Sequence, residues 1–167
     1  MVVFFEKYGK IELVDFMSDI IVKTEQDMLK LGGELVSRLS TSKSRTIELV
    51  GDVGAGKTTL VRGLAQALGV REPVTSPSFT ISKYYAFAPK SGLNKLIHYD
   101  FYRLVDPGLM QDDLLENLAD EKALVVVEWA ETVANLLPTE RIIVKITTLD
   151  DEARRVEKIE FGSEEGK

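Results

Sequence analysis

The sequence predicts an α/β fold in which a mainly parallel sheet is flanked by helices and extended by antiparallel strands. A short apolar strand at Thr46–Val50 leads into a glycine-rich turn and then into a stretch with helical periodicity. The uninterrupted apolar run over 123–127 is typical of a strand buried on both faces of a parallel sheet. Two further strands are indicated over 141–149 and 153–161, joined by a turn, and these add antiparallel pairing.

One domain is expected over residues 18–162 of the 167-residue chain. Residues 1–17 form an N-terminal extension, for which a small hairpin and a poorly ordered segment both stay open, and 163–167 is expected to be a frayed tail. No apolar run approaches the length of a membrane span, and no basic-then-apolar signal pattern opens the chain. We therefore expect no membrane partner and a cytoplasmic location.

Cysteine, histidine and net charge exclude several classes of site. The chain has no cysteine and one histidine, His98, which excludes disulfides, cysteine-bound zinc and a multi-histidine metal site. The formal net charge of −6 argues against direct binding of nucleic-acid phosphates, because proteins that bind them usually carry a basic stripe. If the protein serves a nucleic-acid pathway, a partner is expected to make the main contact.

Strand and helix signals precede the glycine-rich turn. Residues 19–23 are typical of a short strand, and Thr24 with Asp27 three residues later predicts a helix N-cap. Apolar residues then recur at helical spacing, which predicts an amphipathic helix with a buried stripe. The stripe consists of Met28, Leu31, Leu35 and Leu39.

Residues 51–58, Gly-Asp-Val-Gly-Ala-Gly-Lys-Thr, form a complete G-x-x-x-x-G-K-[ST] phosphate-binding loop, or P-loop. Its glycines let backbone N–H groups surround the phosphates, Lys57 reaches the β- and γ-phosphates, and the Thr58 hydroxyl is placed to ligate Mg²⁺. A helix that ends at Gly69 follows, so its N-terminus faces the phosphates. The fold is therefore predicted to be that of a P-loop NTPase. The predicted nucleotide contacts in and beside the loop are Asp52, Val53, Gly54, Ala55, Gly56, Lys57, Thr58 and Thr59.

The elements after the P-loop helix follow from turn and period signals. Side chains over 96–101 alternate between apolar and polar, which predicts a strand with a distinct polar side. The predicted order is a strand over 80–87, a turn over 89–94, a strand over 96–101, a helix opened by Asp106 and Pro107, and a short helix over 130–137.

Glu128 is a candidate metal-binding and catalytic residue because it ends the apolar run over 123–127. In P-loop proteins a strand beside the P-loop strand carries an acidic residue that contacts the Mg²⁺ shell. Here the residue is Glu where Asp is usual, and the longer carboxylate can bind the metal through water or orient the attacking water. A carboxylate that simply faces solvent is the alternative interpretation, and the P-loop upstream favours the functional one.

His98 and Asp100 lie two residues apart, which places them on one face of a strand. Asp100 can hold a metal-bound water or position the nucleophilic one, and Arg103 can neutralise charge on the γ-phosphate. A lone histidine is more often structural, so a direct role for His98 stays open. Residues 75–79 are either a nucleotide-sensing loop or an ordinary Ser-Pro turn. Trp129 either packs near the nucleotide or caps the core.

Four motifs together resemble the TsaE family, the small P-loop ATPases of bacterial threonylcarbamoyladenosine modification of tRNA. They occur in the order and spacing of that family, and the resemblance covers residues 20–161. The motifs are the P-loop with the next threonine at 51–59, Thr-Ser-Pro-Ser-Phe-Thr at 75–80, His-Tyr-Asp-Phe-Tyr-Arg-Leu at 98–104 and Val-Glu-Trp at 127–129.

The resemblance implies an ATPase that hydrolyses ATP slowly alone and works with TsaD-like and TsaB-like proteins. Those partners carry out threonylcarbamoyl transfer to adenosine, so this chain meets tRNA only indirectly. The cofactors implied are ATP and Mg²⁺. The implied catalytic residues are Lys57 on the phosphates, Glu128, which shares Mg²⁺ with Thr58, and Asp100 as a catalytic or switch carboxylate.

The resemblance also implies contacts to the nucleotide base near the first helix and near a C-terminal basic residue. The matching positions are Thr24 or Glu25, and Arg154. Two departures from the family pattern are visible. Ser78 stands where many members have threonine, which keeps the hydroxyl, and the segment before residue 19 is extra.

Three other functions fit a P-loop. A small-molecule kinase would use 98–103 to bind an acceptor, but no arginine-rich lid occurs between Glu128 and 161. A regulatory GTPase would need Asn-Lys-x-Asp, whereas residues 94–97 read Asn-Lys-Leu-Ile. A binding module would hold ATP without phosphate release that partners stimulate.

Overall fold

The computed structural model describes most of the chain. It covers residues 2–5, 9–16, 19–39, 44–102, 104, 106, 108, 110–149 and 153–161, with the backbone alone at 2–5, 9–16 and 158–161. The strands in these stretches are β1 (Val2–Phe5), β2 (Gly9–Phe16), β3 (Ile20–Val22), β4 (Thr46–Val50), β5 (Ser82–Lys90), β6 (Leu93–Asp100), β7 (Ala123–Glu128), β8 (Ile142–Thr148) and β9 (Arg154–Phe161). The helices are α1 (Glu25–Leu39), α2 (Lys57–Leu68), α3 (Met110–Ala119) and a 3-10 turn at Ala130–Thr132.

The strands form one sheet in the order β1-β2-β9-β8-β4-β7-β6-β5, with β3 also paired to β9. The four neighbours β8, β4, β7 and β6 are parallel. Antiparallel strands extend this core, with β5 on β6 at one side and β9 on β8 at the other. The predicted α/β fold with a mainly parallel sheet is confirmed. No helix within the described stretches is long and apolar enough to cross a membrane.

Helices cover both faces of the parallel strands and enclose two apolar cores. The predicted stripe of α1 is buried and packs with α2 against one face of β4 and β8. The other face is covered by α3 and by 130–137, whose side chains pack against β6 and β7. Because β7 is buried along its whole length, its apolar run has the environment that parallel-sheet strands require.

The N-terminus of α1 is capped as predicted. The Asp27 N–H donates to Thr24 Oγ1 at 3.1 Å, and the Thr24 N–H donates to Asp27 Oδ2 at 3.0 Å. Two N-terminal donors are thereby satisfied reciprocally, with Asp in the place that Glu usually takes. A side-chain hydrogen bond from Thr24 lowers the pKa of the Asp27 carboxyl.

Helices α1 and α2 cross at two glycines in backbone contact. A Cβ added to Gly63 would lie 2.3 Å from the carbonyl oxygen of Leu29, and one added to Gly32 would lie 2.6 Å from that of Leu60. Real Cβ atoms do not approach backbone so closely, so both positions require glycine for this crossing. The close crossing brings the N-terminus of α1 beside the P-loop, where α2 begins.

A 3-10 turn replaces the short helix predicted over 130–137, and that prediction is wrong. The Val133 N–H donates to Ala130 O at 3.0 Å, and the Leu136 N–H donates to Val133 O at 2.9 Å. These are i→i+3 bonds, which close short turns, and an eight-residue segment that a proline follows is too short to repay helix nucleation.

One further prediction is corrected near β6. The strand itself carries His98 and Asp100 on the side opposite Ile97 and Tyr99, as predicted, and both sides are buried because α2 lies on one and α3 on the other. Helix α3 begins at Met110 and not at Asp106. The Asp106 carboxylate instead accepts the Gly108 N–H at 2.9 Å, which makes a side-chain turn. Pro107 lies outside the described residues.

Candidate functional site

The parallel register brings three segments to one edge of the sheet. Strands β4, β7 and β6 are neighbours, with Leu49 paired to Glu128 and Asp100 paired to Glu128 across the ladders. Because parallel strands end at the same edge, the P-loop that follows β4 lies beside both carboxylates. The sheet order therefore gathers groups that are 49 to 77 residues apart in the chain, counting from Gly51 to Asp100 and to Glu128.

The P-loop backbone has the conformation that its glycines allow. Gly54 and Gly56 have φ values of 79° and 105°, which L side chains rarely adopt. A Cβ on Gly51 would lie 2.5 Å from the Ile146 carbonyl oxygen, so the loop starts against β8. Gly56 is the N-cap of α2 and offers no side-chain cap. The first N–H groups of α2 therefore face the cavity described below without a capping side chain, as an anion site requires.

Lys57 is buried at the base of the P-loop with 5% of its surface exposed. Its Nζ donates to the carbonyl oxygens of Gly51 at 2.7 Å and Asp52 at 2.9 Å. The same Nζ lies 3.7 Å from Glu128 Oε2 and 4.8 Å from the ring centroid of Trp129. A cation is thus held where the loop, a carboxylate and an aromatic face converge.

The Glu128 carboxylate is shared between two partners. Oε2 faces Lys57, and Oε1 lies 2.8 Å from Nε2 of His98. Both His98 and Glu128 are buried in the strand layer, and Nδ1 of His98 has no hydrogen-bond partner among the described residues. The solvent-facing alternative for Glu128 is therefore wrong.

Asp100 is buried and is held by the segment that follows α2. Its Oδ2 accepts hydrogen bonds from the Ser78 hydroxyl and, at 3.4 Å, from the Ser76 hydroxyl. Its Oδ1 accepts the backbone N–H of Tyr102 at 3.0 Å. The Ser76 and Ser78 hydroxyls therefore contact the carboxylate directly, and Arg103 lies outside the described residues.

A cavity of about 450 Å³ lies between the P-loop and the two carboxylates. Trp129 forms part of its wall in a left-handed backbone conformation, with φ of 55°, and its ring lies 4.7 Å from that of Tyr102. The lining residues are Val53, Gly54, Gly56, Lys57, Thr58, Thr59, Ser76, Ser78, Phe79, Asp100, Tyr102, Glu128 and Trp129.

A second cavity of about 520 Å³ adjoins the first at Gly54, Gly56 and Thr59. It brings together residues from the start of α1 and from β9, including Thr24, Glu25 and Arg154.

Arg154 also touches the P-loop, because its Nε donates to Ala55 O at 3.2 Å. Arg62 donates to Glu25 at 3.3 Å, and both residues line the second cavity.

Several contacts in the site have no signal in the sequence. The sequence singles out Trp129, but it does not indicate the contact of Trp129 with Lys57, which depends on a left-handed backbone conformation. Arg62 sits on α2 among ordinary surface positions, and nothing in its spacing pointed to Glu25. The spacing indicated that His98 lies near Asp100, but it did not indicate the contact of His98 with Glu128 on the neighbouring strand.

The oxygen donors of the first cavity fit Mg²⁺ bound together with phosphates. Thr58, Asp100 and Glu128 line this cavity, which provides one hydroxyl and two carboxylates. In the part of the chain that the structure describes, no group of three or more His, Asp or Glu side chains could hold a metal. Mg²⁺ in nucleotide sites usually takes one or two carboxylates and completes its shell with phosphate oxygens and water.

Comparisons with known proteins identify the family of this chain. The family model described as "Threonylcarbamoyl adenosine biosynthesis protein TsaE" matches residues 22–156. A tRNA threonylcarbamoyladenosine biosynthesis protein TsaE of Haemophilus influenzae is 36% identical over 141 residues, which are 83% of this chain and 86% of that protein. The protein of the same name from Aquifex aeolicus is 36% identical over 145 residues, which are 86% of this chain and 96% of that protein.

A solved structure has the same fold. The crystal structure of Bacillus subtilis YdiB matches with a TM-score of 0.70 and 26% sequence identity, over 90% of this chain and 89% of that one.

Proposed function

Because the chain belongs to the TsaE family and takes part in tRNA threonylcarbamoyladenosine biosynthesis, we propose that its role there is to bind and hydrolyse Mg-ATP. Hydrolysis is slow in the isolated protein and is stimulated by TsaD-like and TsaB-like partners, which transfer the threonylcarbamoyl group to adenosine. The observation that carries the proposal is the convergence of the P-loop, Lys57, Asp100 and Glu128 on one cavity.

Lys57 and the first turn of α2 bind the phosphates in this proposal. The helix N-terminus presents backbone N–H groups and its positive dipole end to the anion. In the structure Nζ of Lys57 is bound to two loop carbonyls and lies near Glu128. The phosphates compete for this cation, so nucleotide binding exchanges its contacts with carbonyl oxygens for contacts with phosphate oxygens.

Thr58 and Glu128 would hold Mg²⁺ in this cavity. The metal, when bound, neutralises negative charge that develops on the phosphate oxygens. Asp100 holds the attacking water as a hydrogen-bond acceptor. The bonds from Ser78 and from the Tyr102 N–H fix the orientation of its carboxylate. Reorganisation of that group during reaction is therefore small, which is the condition for electrostatic catalysis.

The second cavity receives the nucleoside part of ATP. It opens directly from the P-loop, and Thr24, Glu25 and Arg154 provide polar groups around the apolar side chain of Met28. The lining is more polar than apolar, so these groups would hold the nucleoside chiefly through hydrogen bonds. The net charge of −6 supports an indirect contact with tRNA. An acidic chain does not attract the phosphates of the tRNA backbone, so a partner is expected to bind them.

Phosphate release from Mg-ATP tests this function, measured with and without TsaD-like and TsaB-like proteins from the same source. We expect strong stimulation by the partners and loss of release in Lys57→Ala. Lys30→Ala is the matched control, because that lysine is 77% exposed on α1 and away from the site. Unstimulated turnover, or none, would contradict the proposal and would direct attention to a kinase acceptor or to binding without turnover.

A further inference from the structure

His98 is a fully buried histidine with a single hydrogen bond, and the function proposed above leaves it without a role. It lies on β6 with none of its surface exposed, and Nε2 contacts Glu128 Oε1 at 2.8 Å. Its other ring nitrogen, Nδ1, has no partner within the described part of the chain. Buried polar groups are normally satisfied, so a buried histidine with one bond to a site carboxylate and one unpartnered nitrogen requires an explanation.

The chemistry of the two groups fixes which ring nitrogen carries hydrogen. An ionised carboxylate only accepts hydrogen bonds, so Nε2 of His98 must be the donor to Glu128. A second proton on Nδ1 would be an unpaired buried donor, which is costly. The geometry therefore places a hydrogen on Nε2, which His98 donates to Oε1 of Glu128.

In the proposed function, nucleotide binding would change the surroundings of Glu128 on the side of Lys57 only. In the structure Oε2 faces Lys57 at 3.7 Å while Oε1 is held by His98. When Lys57 turns to the phosphates, Oε2 loses its cation and the carboxylate would be free to rotate. His98 lies in the strand layer behind Glu128, away from the P-loop, so its bond survives that exchange.

We propose that His98 is a positioning residue, which holds Oε1 of Glu128 so that Oε2 stays directed to the nucleotide cavity after Lys57 has left. The inference rests on the proposed function, since it gives Glu128 its metal. Outer partners of ligating groups usually contribute about 10- to 100-fold to metal affinity. The role of His98 is therefore expected to be visible in the Mg²⁺ requirement and not in nucleotide affinity without metal.

Two variants separate positioning from support of the fold. His98→Leu removes the donor at similar volume, and His98→Gln keeps an N–H donor. Tyr99→Phe is the matched control: Tyr99 is the next residue of β6, is equally buried on the opposite face, and bonds to Asp113 at 2.6 Å and Asn117 at 2.8 Å. It removes a buried hydrogen-bonding group from the same strand without touching the site.

The first readout is Mg²⁺ titration of ATP binding, followed by the fluorescence of Trp129, the single tryptophan. In His98→Leu we expect the half-point, which is the Mg²⁺ concentration at half-saturation, to rise about tenfold, while the affinity for ATP in the presence of a chelator is unchanged. In His98→Gln we expect the half-point to rise less than about threefold. Tyr99→Phe is expected to lower thermal stability and leave the half-point in place. Equal half-points in wild type and His98→Leu would overturn the inference and leave the proposed function standing.

The second readout does not need a variant at His98 to fold. Because the chain has one histidine, ¹⁵N-histidine labelling yields a single imidazole in NMR spectra. We expect the tautomer with hydrogen on Nε2 in the wild type, and loss of its protected N–H signal in Glu128→Ala. Hydrogen on Nδ1, or an unchanged signal in that variant, would overturn the inference. Binding of ATP without any Mg²⁺ dependence in the wild type would overturn both the proposed function and this inference.

Discussion

Substitution of Gly63 by alanine tests how tightly the crossing of α1 and α2 determines this protein's stability. An added Cβ would lie 2.3 Å from the Leu29 carbonyl oxygen, and contacts below 3.0 Å require movement, so the helices must separate by at least 0.7 Å (3.0 minus 2.3). The opposing atoms are backbone, which cannot turn aside as a side chain would. Separation also opens the apolar contact that the two helices share.

The magnitude follows from two opposing terms. Overpacking against backbone costs about 3 kcal/mol, and alanine in a helix interior regains about 1 kcal/mol over glycine. A net loss of about 2 kcal/mol lowers the melting temperature by about 4–8 °C in a chain of this size. Since the crossing brings the start of α1 to the P-loop, ATP affinity is expected to fall with stability.

Gly33→Ala is the matched control on the same helix pair. Its Cβ would meet only the Ala67 Cβ at 3.8 Å, an ordinary contact, so the alanine should stabilise by about 0.5–1 kcal/mol. The assay is thermal and urea unfolding of both variants beside the wild type. A Gly63→Ala protein as stable as Gly33→Ala would refute the reasoning, because the backbone contact would then not constrain the crossing.

Two more predictions concern the site and its edge. Asp100→Ala should slow partner-stimulated phosphate release about a hundredfold while changing the Kd for ATP much less, and unchanged turnover would show that the carboxylate does not act on the water. The hydrogen bond with Thr24 lowers the pKa of Asp27 in the folded protein. The ionised carboxylate therefore stabilises the fold at pH values above the pKa of the unfolded chain, and this contribution is lost as the pH falls through the lower pKa of the folded protein. Urea unfolding at pH 7 and pH 3 should therefore show Asp27→Asn losing less stability on acidification than the wild type; equal losses would contradict the cap's contribution.

Sequence patterns predicted helices and strands correctly where the interactions that define them lie between residues close in the chain. The cap of α1 by Thr24 depends on residues three apart, and β7 was visible as one apolar run because both its faces are buried. The segment 130–137 shows the limit, since apolar residues at near-helical spacing are compatible with 3-10 turns too. Alternation in the sequence indicated the polar side of β6, but it does not say what covers each face, and both faces are buried.

The sequence by itself determined the groups that act within a few residues of one another. Lys57 and Thr58 follow the glycines directly, so loop conformation and helix start place them without help from the rest of the chain. Their identity also fixed the class of ligand that the site is predicted to bind.

Only the tertiary structure decided the contacts between distant segments. The bond of His98 to Glu128 spans 30 residues and that of Arg154 to Ala55 spans 99. Such pairs depend on which strands become neighbours and in what register, and these follow from packing both faces of the whole sheet. Periodicity indicates the faces of one strand at a time and carries no information on the neighbouring strands. The sequence therefore predicted Glu128 as a ligand, whereas the contact between His98 and Glu128 became apparent only in the folded chain.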